Sequence, residues 1–158
     1  MKKKVFEYFP HPIFQYKLEN YQSHNKELLE YIYRLREKDA KGQKRSNIDG
    51  WHSPFFDLDN KETKGYKFLL LMQPYLIDVF KSYGWVYDPK KVFCSGMWAI
   101  INKRGNFNTE HIHPNSNLSA AYYVKAPENC GDFKVSTPHS VSRDKFPERE
   151  KPTELNRL

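Results

Sequence analysis

The sequence predicts an α+β fold, and three observations carry that expectation. Helical periodicity is confined to the first half of the chain. Short β-type runs separated by Gly and Pro turns fill the second half. Aromatic residues, 16% of the 158, supply material for a core and argue against disorder. Helices first and short antiparallel strands afterwards read as helices packed on a sheet or half-barrel. The length suits one domain. The pattern dissolves after Ser136, where prolines and charges replace any apolar period. Residues 1–136 are therefore expected to form a single domain and 137–158 a disordered or poorly packed tail.

Each element follows from its own signals. Residues 5–18 are aromatic and β-prone, and Pro10 and Pro12 confine them to a sheet edge or an extended arm. Ser23 or Asn25 is expected to cap a helix running to Lys38, with Leu28, Ile32 and Leu35 on one face. Asp39–Gly50 reads as a polar loop, and the stretch around Pro54 as short extended structure. A second helix is expected from about Asn60 to Tyr83, kinked by Pro74 and ended by Gly84. Strands are expected at Lys91–Asn102, Phe107–His113, Leu118–Ala126 and Asp132–Ser136, with turns at Gly105 and Gly131.

Bulk properties narrow the function classes. A net charge of +7 permits nucleic-acid binding, but the lysines are scattered, so nucleic acid is not expected as the primary partner. Cys94 and Cys130 are too few for a zinc knuckle or a disulfide framework, and Cys94 reads as a small buried residue. There is no signal-peptide core and no run of about 18 apolar residues, which leaves the cytoplasm as the expected location and no membrane partner.

His111 and His113 are the chemically informative pair. Alternate residues on a strand project to one side, so the two imidazoles can sit side by side. They could clip one metal ion, or be ordinary polar residues at a strand end, and a metal site needs a third ligand.

Their context, "GMWAIINKRGNFNTEHIHPNSNLSAAYYVKAPENCGDF", resembles the core of the 2-oxoglutarate/Fe(II) oxygenases found in marine bacteria and phages. The shared features are a Trp-bearing strand, a Gly turn, His-x-His-Pro-Asn, a Leu-Ser-x-x-Tyr-Tyr-Val strand and a Pro-Glu-x-x-Gly turn. "HPIFQYKL" and "SNIDGWHSPFFDL" are similar to upstream elements of that family, so the resemblance spans roughly Pro10 to Ser136. It implies an incomplete double-stranded β-helix (jelly roll) with the two helices packed on it. It also implies a hydroxylase that uses Fe(II) and 2-oxoglutarate on a small-molecule or protein substrate.

By that resemblance, His111 and His113 hold the iron. The wider superfamily has a carboxylate where His113 stands, so an oxygen ligand could come from elsewhere, Asn115 included. Tyr123 is the candidate contact for the distal carboxylate of 2-oxoglutarate, with a buried core aromatic as the equal alternative. Ser119 lies on the same strand face. Asn102 could line the pocket or simply end its strand, and Trp98 reads as core. The family continues with strands bearing a distal His and an Arg, whereas only 22 residues follow Ser136 here. "PHSVSRDKFPER" offers His139, Arg143 and Arg149, and its His-x-Val echoes the distal His motif. His139 is thus a candidate third ligand, set against the reading of a tail residue. The expectation is an oxygenase shortened at its C-terminus, with its activity in question. The alternatives are a non-catalytic oxygenase core used for binding, and a basic nucleic-acid-binding module.

Overall fold

The computed structural model describes Lys4 and residues 11–136. The start of the expected extended arm, residues 5–10, and the expected tail, residues 137–158, lie outside the described residues. By its contacts the chain divides into two units, Met1–Ala126 and Pro127–Leu158. The first contains α1 (Tyr21–Lys38), β1 (Asn47–Ile48), β2 (Trp51–His52), α2 (Lys64–Ser82), β3 (Ile100–Ile101) and β4 (Phe107–Asn108). The class is α+β, with two helices and two short antiparallel ladders among the described residues. No described helix is long and apolar enough to cross a membrane.

Helix α1 buries Leu28 and Ile32 against Trp51, Phe56 and Ala99, with Leu35, Tyr122 and Val124 packed around them. The helix starts earlier than its capping residues suggest. Asn20, at φ 51°, precedes the first turn without a side-chain cap, and Ser23 Oγ donates back to the Asn20 carbonyl. Asn25 does not cap either, because its amide is committed to a distant segment. Its Nδ2 donates to the Val124 carbonyl at 2.8 Å, and its Oδ1 accepts the Tyr122 hydroxyl at 2.6 Å. Burial pushes the Tyr122 phenol up from its ordinary value, which keeps the proton on the donor.

Asn25 thus ties residues 122–124 to α1 where no ladder does. Asn25→Ala is expected to cost roughly 1–3 kcal/mol, because the half-buried hydroxyl and carbonyl lose their partner together. The urea midpoint should fall accordingly, and an unchanged midpoint would show that packing alone holds residues 122–124.

Helix α2 is shorter at its start than expected. Thr63 caps it, accepting the Tyr66 N–H on Oγ1 at 3.1 Å. Asp57 and Asn60 organise the turn before it. The helix runs on through Pro74 and closes at Gly84, which has φ 68° and donates to the Lys81 carbonyl. The extended arm crosses this helix: Tyr16 donates to Asp78 and packs edge-on against Tyr75, while Phe14 meets Tyr83.

The strands depart furthest from expectation. Part of the loop Asp39–Gly50 is a strand, because Asn108 and Phe107 pair with Asn47 and Ile48. Asn47 braces it, accepting the Arg45 N–H and donating to the Gln43 and Gly50 carbonyls. The long strand expected at 91–102 is a ladder only at Ile100–Ile101, opposite His52 and Trp51. Beyond that point the pairing turns irregular for a local reason. The Ala99 N–H goes to the Ser53 hydroxyl, and Pro54 has no N–H to offer. Isolated bonds from Ser53 N to Ala99 O and from Phe56 N to Met97 O hold the rest. Residues 118–126 join no ladder among the described residues. Cys94 is half-buried rather than enclosed.

In the second unit, residues 127–131 form a turn. The Cys130 N–H donates to the Pro127 carbonyl, and Asn129 and Gly131 take positive φ. The expected strand 132–136 is not regular secondary structure, and Phe133 and Val135 are exposed.

Candidate metal centre

β4 delivers the chain into the histidine segment. The Thr109 N–H donates to the Ser46 carbonyl at 2.8 Å, extending the β1–β4 pairing by one bond. The chain then runs free across the surface through the Pro114–Asn115 turn, where Asn115 has φ 62°. His111 and His113 project together, with ring centroids 4.9 Å apart and planes at 71°. Ile112 between them is exposed on the other side. The Nδ1 of His111 lies 2.7 Å from the Thr109 carbonyl. A carbonyl can only accept, so Nδ1 carries the proton and the Nε2 lone pair is left for a ligand. Protein metal sites commonly fix an imidazole in this way, through its second nitrogen.

His113 has a tilted ring contact instead. Its ring lies 5.6 Å from the Trp98 indole at 34°, and Trp98 in turn stacks on His52 at 5.6 Å and 13°. Phe55 adds a further face at 5.5 Å. Trp98 is therefore no core residue. It is half-buried, outside the Leu28–Trp51–Phe56 cluster, and faces the histidines. His52 lies buried behind it, with Nδ1 against the Ser53 carbonyl at 2.6 Å. No local signal joins these two residues to His113, because the contact depends on how 51–56 pairs with 97–101.

The candidate cosubstrate residues differ in their surroundings. Asn102 is exposed and donates to Asn108 Oδ1. Its amide also lies over Gly50, where a Cβ would come within 2.1 Å of Asn102 Oδ1, so a side chain at position 50 would require that amide to swing away. Ser119 is exposed. Of the two tyrosines, Tyr122 faces α1 and packs on Phe68, while Tyr123 is 58% exposed. Tyr123 is not the buried core aromatic that was its alternative. Cations that look scattered in the sequence do converge elsewhere: Arg36, Lys41, Lys103 and Arg104 line a shallow cleft of about 320 Å³ beside Asp49.

The donor chemistry fits part of an Fe(II) site. Two neutral-capable imidazoles stand side by side, one with its tautomer set, and imidazole suits iron. Among the described residues no group of three or more His, Cys, Asp or Glu side chains could hold a metal. His139 lies outside the described residues.

Residues 96–157 match the sequence model of a family described as "Putative 2OG-Fe(II) oxygenase". The matched span contains both histidines and runs through His139, Arg143 and Arg149, across the stretch that composition alone reads as a tail. Neither a curated protein nor a solved structure is significantly similar to the chain.

Proposed function

We propose that the protein is an Fe(II)- and 2-oxoglutarate-dependent oxygenase that hydroxylates a small molecule or a protein side chain. The observation that carries this reading is the His111–His113 pair, set inside the family-matched span with the His111 proton held by Thr109. His111 and His113 would hold the metal, and His139 would complete the ligand set. Arg143 or Arg149 would pair with the distal carboxylate of 2-oxoglutarate, the natural partner for a bidentate guanidinium. Tyr123, Ser119 and Asn102 are the proposed further cosubstrate contacts, on a jelly-roll core of the family's type. Fe(II) held there would use O₂ as the oxidant, with 2-oxoglutarate as co-reductant: one oxygen atom would go to succinate as CO₂ leaves and the other to the hydroxylated substrate. The protein's own contribution is to hold the imidazoles and to orient the carboxylate.

The test is succinate release from 2-oxoglutarate by the purified 158-residue chain with Fe(II) and ascorbate. Slow uncoupled turnover is expected without any substrate, and His111→Ala should abolish it. No turnover in the wild type, with His111→Ala indistinguishable from it, would leave a non-catalytic binding domain as the reading.

A further inference from the structure

We infer that Trp98 is a positioning residue for His113, acting through a run of ring contacts from His52 through Trp98 to His113. The inference rests on the proposed metal function of the histidine pair.

The two imidazoles are held in different ways. His111 has a hydrogen bond to the Thr109 carbonyl, which sets both its tautomer and its ring direction. His113 has no hydrogen bond among the described residues, and its segment is exposed on a turn bearing a positive-φ Asn. An imidazole on such a turn would sample several rotamers, and ordering it would weaken any metal it binds. Its fixed neighbours are the His111 edge and the Trp98 face.

The Trp98 face is itself held rigid. His52, only 3% exposed, lies nearly parallel behind the indole, with its own Nδ1 tied to the Ser53 carbonyl. The following residue, Ala99, is buried and locked to Ser53 through both its N–H and its carbonyl. Phe55 also stacks on Trp98, and Gly96 leaves room for it: a Cβ there would stand 3.2 Å from the Phe55 ring. The ring contacts therefore run from the buried Ser53–Ala99 lock to the surface imidazole. The flat indole lets His113 settle in one orientation before a metal arrives, which is what preorganised sites require of their supporting residues.

Nickel(II), an air-stable stand-in for Fe(II), is the probe, titrated calorimetrically and by tryptophan emission. The whole chain is used as wild type, Trp98→Phe, Trp98→Leu and His111→Ala. Trp98→Leu, which keeps apolar bulk but loses the flat face, should weaken nickel about tenfold, the lower end of what outer-shell partners contribute. Trp98→Phe, which keeps a ring, should stay within about threefold of the wild type. Bound nickel should quench emission in the wild type and not in Trp98→Phe, because Trp98 is the indole in ring contact with His113.

A merely structural Trp98 would lower the melting temperature of Trp98→Leu without this quench and without rescue by Phe. Nickel affinity in folded Trp98→Leu equal to wild type overturns the inference while leaving the metal reading intact. Should Trp98→Leu fail to fold, the absence of a quench difference between wild type and Trp98→Phe at saturation overturns it. A wild type that does not bind nickel, or a His111→Ala that binds it equally well, overturns both.

Discussion

Replacing His139 by alanine is expected to lower the metal affinity of the 158-residue chain by about 100-fold or more, since losing a direct ligand should exceed the 10–100-fold typical of outer-shell partners. His111→Ala and His113→Ala should do at least as much. The reasoning starts from the donor count. Two imidazoles on an exposed turn leave most of the coordination sphere to water, and a facial site needs a third protein ligand to hold Fe(II). Among the described residues no group of three or more His, Cys, Asp or Glu side chains could hold a metal ion. The family match continues through residue 157, and His139 is the one histidine in that continuation. Anaerobic calorimetry with Fe(II) on the three single variants measures the ranking directly. If His139→Ala binds as the wild type does while His111→Ala does not, the centre is a two-histidine site whose remaining donors come from water or cosubstrate. Asn115, a short residue on the same turn, would then be the next position to substitute.

The helices were legible because their signals are local. The Leu28–Ile32–Leu35 face and the Gly84 stop act within a few residues of where they are read. Boundaries shifted where side chains were claimed from afar: Asn25 reads as a cap, but Val124, 99 residues on, takes its amide. The strands were less legible because pairing is decided by the partner. "KVFCSGMWAIIN" has every β-former it needs, yet Ser53 and Pro54 opposite it interrupt the ladder, and Phe93 stays 82% exposed. The histidine pair was visible in the His-x-His spacing. Its supports were not, because Thr109 contributes a backbone carbonyl, and His52 and Trp98 meet only after two distant segments pair.

Trp51→Ala is expected to be the most destabilising single substitution in the described core, at about 3–5 kcal/mol. Trp51 is 6% exposed and sits in β2, opposite Ile101, within the cluster that α1 covers. Its indole N–H donates to the Asp39 carbonyl at 2.8 Å, which pins the end of α1 to the sheet. Gly42 packs directly on the ring: at φ 60°, a Cβ there would fall 2.7 Å from both Trp51 Cδ1 and the His52 carbonyl. Alanine would open a void beneath α1, orphan the Asp39 carbonyl and release the 39–42 turn together. A domain with roughly 5–15 kcal/mol of total stability can lose half of it in such a change. Trp51→Phe separates the contributions, keeping most of the ring and losing only the hydrogen bond, for about 1–2 kcal/mol. Urea unfolding of both variants, followed by far-UV circular dichroism, reads the two costs. A Trp51→Ala midpoint within error of Trp51→Phe would mean that the cavity collapses and that the Asp39 bond, not burial, holds α1 on β2. Because His52 follows Trp51 in β2 and backs Trp98, Trp51→Ala should also loosen His113, so its metal affinity should fall while Trp51→Phe keeps it.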